Sequence, residues 1–218
     1  MRRGWGKIAV LLAMLVLLLG SQVQALETVV GETEILLVGD REHVRTQETN
    51  LGNLITDLMK DMTGADLAMT NGGGIRVSVP PGDVTLEDIL DIHPFENIIV
   101  TVELTGADVI AALEHGVSAF PDQWGGFMQV SGVRYGFDPA QPAGERIVYV
   151  YYQGEPIDPD ATFVVATNGF IASGGDDYTM MGEAELLEEF ETLDQALIGL
   201  FRDHSPVLPR VEGRISIY

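Results

Sequence analysis

From Asn50 to Val117 the chain alternates between helical and extended hydrophobic patterns, and from Phe127 to Thr167 extended patterns follow one another. That order restricts the fold more than any other feature, because alternating units pack helices on a sheet while strand runs form sheet alone. Leu51, Leu54, Ile55, Leu58 and Met62 recur at helical spacing behind Asn50, a residue type that caps helices. Thr85-x-x-Asp88 and Thr105-x-x-Asp108 resemble capping boxes. The first opens Leu86 to Ile92, and the second opens a helix with Val109, Ile110, Leu113 and Val117 on one face. Strands are predicted at Glu34–Gly39, Asp66–Thr70, Ile98–Leu104, Phe127–Val130, Val133–Phe137, Arg146–Tyr152 and Thr162–Thr167. Asp194 to Phe201 has helical character, and Gly213 to Tyr218 reads as a closing strand. The expected class is α+β, a mixed β-sheet with packed helices. No repeat or low-complexity linker divides it, and with no cysteine anywhere, packing alone must hold it.

The first 25 residues read as a leader. Arg2, Arg3 and Lys7 precede an apolar run, Ile8 to Leu19, of about 12 residues, short for a bilayer core of roughly 30 Å. Val23-Gln24-Ala25 then supplies a small-x-small cleavage pattern. Residues 1–25 are therefore expected to be a signal peptide cleaved after Ala25, with residues 26–218 forming one domain in the periplasm or outside the cell. An uncleaved anchor is the alternative. No later stretch is apolar for long enough to span a membrane, so no stable membrane anchor is expected.

The whole chain carries a formal charge of −21, which becomes −24 when the three leader cations are removed. Such a field repels phosphate backbones, so nucleic acid is not an expected partner. A phosphorylated ligand must be held by local cations. Lys60 is the sole lysine after the leader, so that work falls to arginines.

A catalytic constellation does not emerge. Four histidines, His43, His93, His115 and His204, are scattered. Asp91-Ile92-His93 has the spacing that opens many dinuclear metal sites, but nothing completes it, and His93 reads as a residue at a helix end. Asp158-Pro159-Asp160 and Asp176-Asp177 lack the further oxygen ligands of a calcium loop. Ser173 lacks a Gly-x-Ser-x-Gly elbow. Neither a catalytic residue nor a metal ligand is assigned.

Binding residues are easier to find. Asn71-Gly72-Gly73-Gly74-Ile75-Arg76 follows a strand; its glycines permit a tight path with exposed backbone N–H groups, and Arg76 can fork onto phosphate oxygens. An ordinary flexible turn is the alternative. Arg41 and Arg45 converge on one anion if their segment is helical or tightly turned; otherwise they are surface residues. Phe95 and Phe170 sit beside strand ends, where a ring can stack on a base or simply pack in the core. Gly174-Gly175-Asp176 delivers a carboxylate, an acceptor that suits ribose hydroxyls.

Taken together these segments resemble the C-terminal domain of 5′-nucleotidases, most closely the bacterial periplasmic UDP-sugar hydrolase/5′-nucleotidase type. The carriers are Gly39-Asp40-Arg41-x-x-Val44-Arg45, Thr49-Asn50-x-Gly52, Thr63-Gly64-Ala65-Asp66, Gly72-Gly73-Gly74-Ile75-Arg76, Pro94-Phe95-x-Asn97, Gly154-Glu155-Pro156, Asn168-x-Phe170 and Gly174-Gly175-Asp176-x-Tyr178, from about Gly31 to Ile217. The resemblance implies that Arg41, Arg45 and Arg76 bind phosphate and that Asn71, Gly73 and Gly74 line the site. It further implies that Phe95 and Phe170 sandwich the base, that Asn97 meets the base edge and that Asp176 holds the ribose. His93 stands where the family varies beside the base. The implied ligand is AMP-like or UDP-sugar-like. The family's cutting half is a metallophosphoesterase domain with two divalent metals. Because the leader runs straight into the binding domain, that half is expected on a separate exported protein, with no cofactor in this chain. A stand-alone nucleotide-binding or scavenging protein is the other reading.

Overall fold

The computed structural model describes residues 26–218, so the predicted signal peptide lies outside the described residues. In chain order the elements are β1 (Val29–Thr33), α1 (Arg41–Val44), α2 (Asn50–Thr63), β2 (Leu67–Asn71), a 3-10 turn at Gly72–Gly74, β3 (Gly82–Thr85), α3 (Leu86–Ile92), β4 (Ile98–Thr105), α4 (Gly106–Gly116) and β5 (Met128–Ser131). There follow β6 (Val133–Phe137), β7 (Ile147–Tyr152), β8 (Glu155–Pro156), β9 (Thr162–Asn168), α5 (Gly169–Ala172), a 3-10 turn at Gly175–Asp177, α6 (Thr179–Gly182), β10 (Glu185–Thr192), α7 (Leu193–His204) and β11 (Ile215–Ile217).

A five-stranded mixed sheet in the order β10-β4-β9-β2-β5 forms the centre. Its β2 and β9 run parallel, and every other neighbouring pair is antiparallel. Both faces are covered. Ala68, Ile99 and Ala166 join a core built with α2, α3 and α7, while Leu67, Met69, Val102 and Val165 join a second core with α4 and β6. Successive side chains of a strand point to opposite faces, so a strand buried on both sides loses its polar alternation. All five residues of β2 are buried accordingly. A four-stranded sheet, β11-β6-β7-β8, adjoins through the turn at Gly132. Gly132 has φ +83, and a Cβ there would sit 2.5 Å from the Asp66 carbonyl oxygen, so glycine is required. The α+β class holds.

The capping boxes at Thr85 and Thr105 form in full, each threonine accepting from the N3 amide while Asp88 or Asp108 accepts from the cap amide. Two local expectations need correction, and one strand goes unpredicted. Glu34–Gly39 is not a strand; the ladder lies earlier, at Val29–Thr33, and Leu37 makes only an isolated bridge to Val79. The amides of Val38, Gly39 and Asp40 are taken by side chains, Asn50 Oδ1 and Ser78 Oγ, and a segment so satisfied needs no partner strand. Asn50 is not the cap of α2: Thr49 has the extended backbone and accepts from the Gly52 amide at 3.0 Å, which frees Asn50 to brace Leu36 and Val38. Strand β10 was not foreseen. It is an acid-rich edge strand, exposed over most of its length, and charge on an edge guards it against pairing with other chains.

Candidate functional site

The C-terminal end of β2 and the adjoining ends of α1, α3 and β9 meet at a cavity of about 410 Å³, within the range of about 300–1,000 Å³ usual for small-ligand sites. Nine of the ten predicted site residues line it: Arg45, Asn71, Gly73, Gly74, Arg76, Phe95, Asn97, Phe170 and Asp176. Arg41 stands outside the lining, but its segment is helical as convergence requires. Arg41 Nη2 and Arg45 Nη1 both donate to the Gln123 carbonyl at 3.4 Å.

The glycine turn works differently from the sequence expectation. The Gly72 amide donates to the Phe127 carbonyl and the Gly73 amide to the Gly125 carbonyl, each at 2.7 Å. Those two N–H groups are therefore occupied, not offered to a ligand. The glycines serve close approach instead. A Cβ on Gly72 would stand 2.1 Å from the Val44 carbonyl oxygen, and one on Gly73 would stand 2.9 Å from the Gly125 Cα. Sequence reasoning missed this segment, Gln123 to Phe127, of which Gly125 completes the cavity wall. It carries no charge or motif, and the adjacent Gly125-Gly126 pair was its one visible signal.

Phe95 and Phe170 are 48% and 43% exposed, so neither is a core residue. Phe95 packs edge-on to His93 with centroids 5.7 Å apart, and the Arg76 guanidinium lies 5.7 Å from its ring centroid, a cation–π arrangement. Asn168 caps α5 through the Ile171 amide and so sets Phe170 at the cavity. A Cβ on Gly175 would come within 2.6 Å of the Phe170 ring, which explains a glycine there. Asn97 contributes its backbone carbonyl to the Leu193 amide, tying the cavity edge to α7.

Asp176 has φ +51 and Asp177 φ +61, left-handed values that non-glycine residues hold only when neighbours enforce them. Asn71 Nδ2 donates to Asp176 Oδ2 at 3.0 Å, and Asn71 Oδ1 accepts from Asn168 Nδ2 at 3.1 Å. Burial holds the Arg45 guanidinium below its ordinary pKa, the positive charges of Arg41 and Arg76 add to this, and Asp176 opposes it. The cluster is thus strained by like charge, and an anion would relieve it.

Asp91 and His93 differ in their surroundings. Asp91 is exposed, whereas His93 is 2% exposed and faces Phe95 and Gly74. Among the described residues no three His, Asp or Glu side chains gather as a metal site requires. No helix among the described residues is long and apolar enough to cross a membrane.

The profile of the 5′-nucleotidase C-terminal domain matches residues 29–183. The chain belongs to this family. It is 41% identical over 198 residues to the trifunctional nucleotide phosphoesterase protein YfkN of Bacillus subtilis, covering 86% of this chain and 14% of that protein. It is 39% identical over 153 residues to protein UshA of Escherichia coli, covering 70% of this chain and 27% of that one. The crystal structure of a 5′-nucleotidase precursor from Thermus thermophilus superposes with a TM-score of 0.86 at 39% identity, over 93% of this chain and 42% of that one. This 5′-nucleotidase C-terminal domain therefore spans only a minor part of the relatives it matches.

Proposed function

We propose that the chain grips a nucleotide, AMP-like or UDP-sugar-like, for a 5′-nucleotidase-type hydrolysis system outside the cytoplasm, after removal of residues 1–25. In this reading Phe95 and Phe170 stack on the base, Asn97 meets its edge, Asp176 accepts from the ribose hydroxyls, and Arg41, Arg45 and Arg76 hold phosphate. Cleavage belongs to a separate exported metallophosphoesterase, whose two divalent metals would activate water and offset charge on the phosphate. The observation that carries the reading is the meeting of unlike groups in one cavity: two half-exposed rings, one carboxylate and two arginines. Few ligands other than a nucleotide need all three.

Calorimetry tests it. AMP should bind more tightly than adenosine, and Phe170→Ala should weaken AMP binding about 5- to 150-fold, since base stacking is worth roughly 1–3 kcal/mol. Unchanged affinity in a folded variant would remove the stacking role, and equal affinity for AMP and adenosine would remove the phosphate role. Turnover that arises only when an exported metallophosphoesterase is added would support the division of labour. Binding without turnover in every such mixture would favour a stand-alone scavenger.

A further inference from the structure

We infer that His115, which lies outside the cavity, is the positioning residue that holds Asp176 in its ligand-facing conformation and thereby sets recognition of the ribose hydroxyls. The inference rests on the reading above that Asp176 takes those hydroxyls. His115 lies in the last turn of α4, and its Nε2 is 2.8 Å from the Asp176 carbonyl oxygen. A carbonyl can only accept, so the imidazole must carry a proton on Nε2 to make this bond.

The ring has little freedom to do otherwise. Trp124 and Tyr178 lie nearly parallel, 6° apart, and the imidazole stands edge-on to both, with centroid separations of 4.9 Å and 4.6 Å. Tyr178 is fully buried and donates its hydroxyl to the Gly126 carbonyl. A Cβ on Gly116 would lie 2.9 Å from that hydroxyl oxygen, so a glycine beside His115 allows the approach. The same clasp therefore fixes the Trp124–Phe127 wall and the turn that carries Asp176.

Asp176 and Asp177 both occupy left-handed backbone, a conformation that a non-glycine residue keeps when its neighbours over-determine it. Two contacts do so from opposite ends of the residue: Asn71 holds the carboxylate, and His115 holds the main chain. Without the second, the turn can rotate the carboxylate away while the rings and arginines of the cavity stay in place.

His115→Phe keeps an aromatic ring against Trp124 and Tyr178 but removes the donor. His115→Gln places an amide N–H near the Nε2 position. Affinities for AMP and for 2′,3′-dideoxy-AMP, measured by calorimetry on all three proteins, separate the roles. Wild type should prefer AMP. His115→Phe should lose roughly 5- to 10-fold in AMP affinity, as for loss of one hydrogen bond, with dideoxy-AMP affinity unchanged and AMP affinity largely restored in His115→Gln. An equal loss for both ligands, or no loss, overturns the positioning role. If wild type itself does not distinguish the ligands, the ribose role of Asp176 fails first and this inference with it. Imidazole ¹⁵N shifts of the wild-type protein give a test that needs no variant: a proton on Nε2 is expected, and a bare Nε2 overturns the contact.

Discussion

Arg45 and Arg214 are almost equally buried, 8% and 7% exposed, and yet they are opposites. Arg214 is saturated. It forks onto both oxygens of Asp57 at 2.8 Å, donates to Glu212 at 3.1 and 2.8 Å, and donates to the Val130 carbonyl at 2.9 Å. Burial would lower its pKa, but the hydrogen bonds and charges of Asp57 and Glu212 outweigh this and raise it. Arg45 has one long bond to Gln123, a buried Nε with no partner, and two arginines for neighbours. One guanidinium closes the C-terminal strand onto α2 and β5. The other is held under-satisfied at a cavity wall. Burial alone does not separate a structural cation from a binding one; the count of satisfied donors and the sign of the surrounding charge do.

The largest expected effect tests the structural half of this contrast. Arg214→Met should destabilise the fold by roughly 2–4 kcal/mol, less than for a fully enclosed pair because Asp57 and Glu212 remain 43% and 51% exposed to water. Urea unfolding measures this, and AMP affinity of the folded protein should not change. Next comes the binding half. Arg45→Met should cost about 1.5–3 kcal/mol of AMP binding, roughly 10- to 150-fold, with stability unchanged or slightly raised as a buried, repelled charge disappears. Should Arg45→Met unfold the protein as readily as Arg214→Met, the two arginines are alike and the contrast collapses.

How far the sequence reveals such differences depends on range. Local signals were legible: the capping boxes at Thr85 and Thr105, the period of α2, and the strand Val133–Phe137 all appear where they were predicted. The nine cavity residues were legible through family resemblance, because short motifs carry them in order. What was hidden lies in long-range contacts. The Gly72 and Gly73 amides read as a ligand cradle until Gly125 and Phe127, more than 50 residues away, were found to claim them. Strand β10, rich in glutamate and poor in β-branched residues, forms because β4 offers an open edge; pairing overrides propensity there. Arg214, in a tail read only as a closing strand, has no local sign that Asp57 awaits it.

His93 offers a smaller and sharper test, because like Arg45 it has a buried nitrogen without a partner, but it can shed its charge. It is 2% exposed, and neither ring nitrogen has a hydrogen-bond partner. Burial depresses its pKa below the ordinary value, and Asp194 offsets this only in part. The imidazole is therefore favoured neutral in the fold, while in the unfolded chain it protonates near its ordinary pKa of about 6.5. Below that pH the unfolded state binds the extra proton, so this residue's contribution to stability falls as pH drops from about 6.5 towards the folded pKa and levels off beneath it. His93→Phe keeps a ring against Phe95 and removes the titration. Relative to wild type the variant should gain stability between pH 7.5 and pH 5.5, by at most about 1.4 kcal/mol, the limit for one proton over one pH unit below its unfolded pKa. Urea unfolding of both proteins at the two pH values checks this. Parallel changes in the two proteins would mean that a water or Asp194 already satisfies His93 in the fold. His93 would then belong with Arg214 among the paired bases, leaving Arg45 as the under-satisfied base of the cavity.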